Sequence, residues 1–139
     1  MINGSYKLGS QKINLEKEFS QSKNLNFENI FKKTGIRFIY RSSEKENSHT
    51  LAYEAGKKNL INIKENVESL IFLTQSPIST IPSSGSILHK DLKLSENCYV
   101  LDIIQGCSSF PYALNLATNL IKNKEFNNCL IICSETYTK

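Results

Sequence analysis

The amino-acid sequence predicts an α/β fold in which helices layer against parallel strands. Three observations carry that expectation. Three short, largely apolar runs, at residues 70–74, 99–104 and 130–133, have the length of buried strands, and the first is continuous, as in a strand buried on both faces. The stretches between them place apolar residues at helical spacing. A loop rich in Ser, Pro and Gly, at residues 75–85, separates the first run from the helix after it. Strands alternating with helices in this way build parallel βαβ units.

Taken in order, residues 15–19 and 27–33 carry helical spacing and stop at Thr34-Gly35, where a glycine suits the left-handed end of a helix. Residues 36–41 alternate, as a short strand or an extended loop does. Ser48 is a candidate N-cap for a helix over about 49–63, with Leu51, Ala52, Ala55 and Leu60 on one face. Residues 70–74 form the first buried strand, and a helix over about 86–92 follows the loop. The second buried strand, residues 99–104, runs into a Gly106-Cys107 turn with a small-residue helix over 108–122 behind it. Residues 130–133 form the third strand, within the run Cys129-Leu130-Ile131-Ile132-Cys133.

The chain of 139 residues is one domain's worth, with 40% hydrophobic and 22% charged residues, enough to bury a core. No apolar run approaches the ~20 residues of a membrane span. Met1-Ile2-Asn3-Gly4-Ser5 lacks the basic-then-apolar character of a secretion signal. A net charge of +4, with lysines scattered among glutamates, reads as a solvated surface rather than a nucleic-acid stripe. The cysteines, Cys98, Cys107, Cys129 and Cys133, have no C-x-x-C spacing, and His49 and His89 are not placed as zinc partners. Cys129 and Cys133 on a strand read as buried and reduced, which points to the cytoplasm. The last strand lies so near Lys139 that the natural polypeptide is expected to be longer.

Cys107 admits two readings. Cysteine is a common small core group, and a strand–helix junction is an ordinary place for one. Against that, Gly106 allows a sharp turn that presents the side chain. Ser108, Ser109, Ala113 and Ala117 keep the helix slim where it threads a crowded core. The partial positive charge of a helix start favours thiolate over thiol, and a thiolate is the nucleophile of covalent acyl chemistry.

The segment Asp102-x-x-x-Gly106-Cys107-Ser108-x-Phe110-x-Tyr112-Ala113-Leu114 resembles the nucleophile segment of 3-oxoacyl-(acyl carrier protein) synthase III, a thiolase-fold condensing enzyme. Lys33-Thr34-Gly35-Ile36, Thr74-Gln75-Ser76-Pro77, Ile81-Pro82, Ile87-Leu88 and Glu135-Thr136-Tyr137 resemble further segments of the family in the same order. Gly9 stands where the family usually has proline.

The resemblance implies a thiolase-like fold, N-terminal half only, over residues 1–139: α-β-α layers about a mostly parallel mixed sheet. It implies a β-ketoacyl synthase III-like acyltransferase of fatty acid or related acyl-chain biosynthesis. Cys107 would take the acyl group from a thioester, and a decarboxylated malonyl-carrier carbanion would then attack it. The family's catalytic histidine and asparagine belong to its second half. His49 and His89 match ordinary positions, so the chain alone is expected to be inactive. No cofactor is implied beyond the thioester substrates of coenzyme A or acyl carrier protein. Lys33 and Thr34 match the region of the substrate entrance. Asn29 falls where many members carry tryptophan, which leaves the donor open between coenzyme A and a carrier protein. A homodimer through strand 129–133 is implied, with no nucleic-acid or membrane partner. The alternatives are a non-catalytic remnant, a subunit that needs a separate second half, and a 3-hydroxy-3-methylglutaryl synthase-like acyltransferase of the same fold.

Overall fold

The structure is a computed structural model that describes residues 3–20, 26–61 and 66–137. In chain order its elements are β1 (Gln11–Asn14), α1 (Leu15–Ser20), α2 (Phe27–Thr34), β2 (Phe38–Arg41), α3 (Ser48–Leu60), β3 (Ser69–Leu73), α4 (Ser84–Asp91), β4 (Tyr99–Ile103), α5 (Ser109–Lys122) and β5 (Leu130–Cys133). A single 3-10 turn, Gly106–Ser108, joins β4 to α5.

β3, β4 and β5 form a parallel sheet in the order β4-β3-β5, with Ile71 opposite both Leu101 and Ile131. Every residue of the central strand β3 is buried. Strand alternation divides its side chains between two cores. Leu70 and Phe72 pack with Ala52 of α3, Leu88 of α4 and Ile132 of β5. Ile71 and Leu73 pack with Ala113 and Ala117 of α5. The sheet is thus covered on both faces, α3 and α4 on one side and α5 on the other. That sandwiching is why β3 reads as an unbroken apolar run, and each fully buried Leu, Ile or Phe contributes about 1.5–3 kcal/mol.

Several features differ from expectation. The run 99–104, expected as a buried strand, gives β4 only as far as Ile103, and as an edge strand it has no buried residue, with Tyr99 and Ile104 exposed. The N-cap of α3 is Asn47, not Ser48: its side chain accepts the Thr50 N–H, while the Thr50 hydroxyl accepts the Asn47 N–H, which makes a reciprocal capping box. Ser48 is instead the first helical residue and is buried. The expected end of this helix at residue 63 lies outside the described residues. α4 opens two residues earlier than expected, because Ser83 caps it through the Ser86 N–H. α5 opens at Ser109, since the 3-10 turn takes Gly106, Cys107 and Ser108.

The N-terminal region holds a strand that periodicity does not reveal. β1 pairs antiparallel with β2, Lys12 opposite Tyr40, which makes a two-stranded ribbon separate from the parallel sheet. Of residues 36–41, 38–41 are therefore strand and only 36 and 37 are loop. The Lys12 ammonium stands 4.5 Å from the centroid of the Phe38 ring across the ribbon. α2 ends as expected, with Gly35 left-handed (φ 69°) and its N–H donating to the Phe31 carbonyl.

Candidate active site

The carboxyl ends of β3, β4 and β5 lie side by side, and in open parallel sheets that edge is where ligands are taken up. The connection leaving β4 there is tightly specified. Gly106 is left-handed (φ 59°), and the Gln75 side-chain amide fills the space where any Cβ at this position would stand. On the far side of the turn, the Ser109 hydroxyl accepts the Gln105 N–H at 2.9 Å, and the Ser108 hydroxyl donates to the Gln105 carbonyl at 2.7 Å. Cys107 sits in the middle of this braced turn and is exposed. Below it, α5 buries Ser109, Ala113 and Ala117, whereas Ser108, expected among the slim residues, belongs to the 3-10 turn and is exposed.

Asp102, which opens the nucleophile-like segment, faces another way. Its carboxylate accepts the Ser83 hydroxyl at 2.9 Å and the Gly85 N–H at 2.8 Å, fastening β4 to the first turn of α4. A Cβ on Gly85 would collide with that carboxylate.

Two further segments close over the same edge. After β5, the Glu135 carboxylate accepts the Gln75 N–H and, at 2.9 Å, the Ser76 hydroxyl. Desolvation first, then the charges of Glu135 and Cys107, push the Tyr137 phenol above its ordinary value. Sequence reading quoted Gln75, Ser76 and Glu135 without giving them a role. The available signal was topological: each lies within three residues of the end of a strand of the same parallel sheet.

All four cysteines are free. Cys98 is buried, whereas Cys129 is half-buried and Cys133 exposed, which corrects the expectation of two buried strand cysteines. Cys133 is the last residue of a strand at the sheet edge, and that is why it opens to solvent. Desolvation raises the thiols of Cys98 and Cys129, with the Cys129 charge a second cause at Cys98. At Cys133, exposed as a residue, desolvation still leads and the Glu135 carboxylate adds to it.

Lys33 and Thr34 lie at the end of α2, which packs on α1. Lys33 is exposed, and the Thr34 hydroxyl donates to the Ile30 carbonyl at 2.8 Å. His49 is 2.8 Å from the Asp91 carboxylate, and His89 bonds the Ser95 carbonyl at 2.8 Å near the other end of α4. Neither histidine contact involves the Cys107 turn. Among the described residues no cluster of three or more His, Cys, Asp or Glu is placed for a metal, and no helix is long and apolar enough to cross a membrane.

An exposed thiol on a turn of braced backbone suits addition to an acyl carbonyl. The family 3-oxoacyl-[acyl-carrier-protein (ACP)] synthase III matches residues 101–139. A β-ketoacyl-[acyl-carrier-protein] synthase III of Clostridium perfringens is 38% identical over 110 residues, covering 77% of this chain and 33% of that protein. Its counterpart in Neisseria gonorrhoeae is 32% identical over 113 residues, covering 79% and 35%. The chain thus spans about a third of the length of the curated relatives it matches. A crystal structure of the 3-oxoacyl-[acyl-carrier-protein] synthase III of Aquifex aeolicus superposes with a TM-score of 0.85 at 27% identity, over 97% of this chain and 44% of that one. A 3-hydroxy-3-methylglutaryl synthase of the curacin pathway, crystallised with a holo donor acyl carrier protein, shares the fold with a TM-score of 0.83 at 24% identity, over 96% and 33%.

Proposed function

We propose that this chain, which in sequence and fold resembles 3-oxoacyl-(acyl carrier protein) synthase III, is the N-terminal half of such a condensing enzyme and carries its acyl-accepting step. The supporting observation is the exposed Cys107 on the Gly106 turn at the carboxyl edge of the parallel sheet. The Cys107 sulfur, having given up its proton, adds to the carbonyl carbon of an acyl thioester. The negative charge moves to the carbonyl oxygen, where the Cys107 backbone N–H is one stabilising donor. Collapse of that adduct breaks the donor's carbon–sulfur bond, and the departing thiolate takes up a proton. The acyl group stays on Cys107.

The donor is a coenzyme A or acyl carrier protein thioester, with Lys33 and Thr34 at the entrance. The compartment is the cytoplasm, where thiols stay reduced. Carbon–carbon bond formation needs a histidine and an asparagine that no residue of this chain matches, so the second step belongs to a further half. The exposed apolar side of α5, with Phe110 at 51% and Tyr112 at 61% accessible, favours completion by more polypeptide over a free-standing remnant.

Incubation with acyl-coenzyme A or acyl-carrier protein, followed by peptide mass mapping, tests the reading. The expected outcome is an acyl adduct on Cys107, lost in Cys107→Ala, with no 3-oxoacyl product when malonyl-carrier protein is added. A wild-type chain that takes no acyl group from either donor would refute the acylation step. Condensation at about one turnover per second or faster would overturn the division between halves.

A further inference from the structure

The contacts around Gln75 form a relay that begins two residues beyond β5 and ends at the Cys107 turn. The Ser134 N–H donates to the Leu73 carbonyl at 3.0 Å, and its hydroxyl donates to the Ser48 carbonyl at 2.7 Å. The Ser48 hydroxyl in turn donates to the Ser76 carbonyl. The Ser76 N–H bonds the Thr74 hydroxyl at 3.0 Å. Onto this frame Glu135 closes with both oxygens, one taking the Gln75 N–H and the other the Ser76 hydroxyl. The loop after β3 is therefore tied to α3 by the Ser48 hydroxyl and to the segment after β5 by a carboxylate. Its next contact is the site itself, where the Gln75 amide packs against the α-carbon of Gly106.

We propose that Glu135 is a positioning residue for the nucleophile: by clamping Gln75 and Ser76 it seats the Gln75 amide on Gly106 and so sets the orientation of the Cys107 turn. The inference rests on the reading of Cys107 as nucleophile. Both of its bonds are charge-assisted, which gives them strength and direction that a neutral acceptor lacks. Glutamine at 135 keeps the size but has a single acceptor oxygen, and its NH2 group would oppose either the Gln75 N–H or the Ser76 hydroxyl. Aspartate keeps charge and both acceptors on a shorter arm.

The test is the rate constant for iodoacetamide alkylation of Cys107, followed by peptide mapping across pH in the full chain. It compares wild type with Glu135→Gln, Glu135→Asp, Gln75→Ala and the Glu135→Gln/Gln75→Ala double variant, with circular dichroism to verify folding. Glu135→Gln and Gln75→Ala should each change the Cys107 rate by about threefold or more, the low end for residues coupled in one network. Glu135→Asp should recover part of that loss. The double variant should differ little from either single one, while Cys98 and Cys129 label as in wild type. A Cys107 rate in folded Glu135→Gln within about twofold of wild type, or effects that simply add in the double variant, would overturn the relay. If Glu135→Gln does not fold, Gln75→Ala, which leaves the carboxylate clamp in place, decides by the same criterion. Alkylation of Cys107 slower than that of the other thiols in wild type would instead undo the nucleophile reading, and a variant-dependent rate would still support the positioning.

Discussion

A carbon added at position 106 meets two obstacles, a left-handed backbone and the amide of Gln75. At Gly35 it meets only the first, since nothing lies within 4 Å of a Cβ there. The pair separates backbone strain from site geometry. Each alanine substitution is expected to lower stability by about 1–2 kcal/mol, the cost of holding an L-residue left-handed. The flexible Gln75 side chain can swing away from the added methyl group at little further cost, but the Cys107 turn then loses its brace. Urea midpoints for Gly35→Ala and Gly106→Ala should therefore fall alike, while only Gly106→Ala alters Cys107 alkylation. A changed thiol rate in Gly35→Ala would show that the two effects are not separable. The local pattern around Cys107 was legible in the sequence because Gly-Cys followed by small residues is a contiguous signal. The braces on that turn were not, since Gln75 lies far away along the chain.

Between elements, Glu46 knots the segment before β1 to the loop before α3. One of its oxygens accepts the Ser10 N–H at 3.0 Å and hydroxyl at 2.8 Å, and also the Ser43 N–H at 2.8 Å and hydroxyl at 3.2 Å. These bonds, the Ser43 N–H foremost, pull its carboxyl from the ordinary 4.5 down to about 2. Because the native group titrates below the unfolded one, the unfolded chain takes the proton first as pH falls. The stabilisation is complete above about pH 4.5 and is lost on the way down to about pH 2. The stability difference between wild type and Glu46→Gln should be widest above that window and close within it, as measured by urea unfolding at stepped pH. A difference that stays constant through the window would show that Glu46 makes no such linkage. The start of α3 carries a related lesson. Asn47 and Ser48 are both good caps, and the choice fell to Asn47 because Thr50 sits three residues on, where it completes the reciprocal pair.

At the scale of the molecule, two features point outward. β5 pairs only with β3 among the described residues, so its other edge is open, and the edge is short and uncharged. α5 shows Phe110, Tyr112, Leu114 and Ile121 to solvent. We expect the chain to self-associate through β5, as the family resemblance implies. Light scattering at increasing concentration should give masses above that of one chain for wild type, reduced in Ile131→Lys. Tyr112→Glu, on the α5 face, should reduce the mass less if the strand edge governs. A wild-type chain that stays monomeric at high concentration would show the edge to be protected.

The parallel sheet and the slim helix packed on it were already written into the order of the residues. A strand covered on both faces must be apolar throughout, and a helix pressed to a sheet needs small residues one turn apart, as at Ser109, Ala113 and Ala117. Both demands are local and leave contiguous marks. Only folding made residues 11–14 a strand, because β1 has little apolar pattern and owes its state to hydrogen bonds from β2. Folding likewise opened Cys133 to solvent, by ending an edge strand there. It also brought Glu135 onto Gln75, sixty residues away in the chain. The parallel register that sets Leu73 beside Cys133 delivers both to one edge, and such pairing across a crossover leaves no trace in either segment alone.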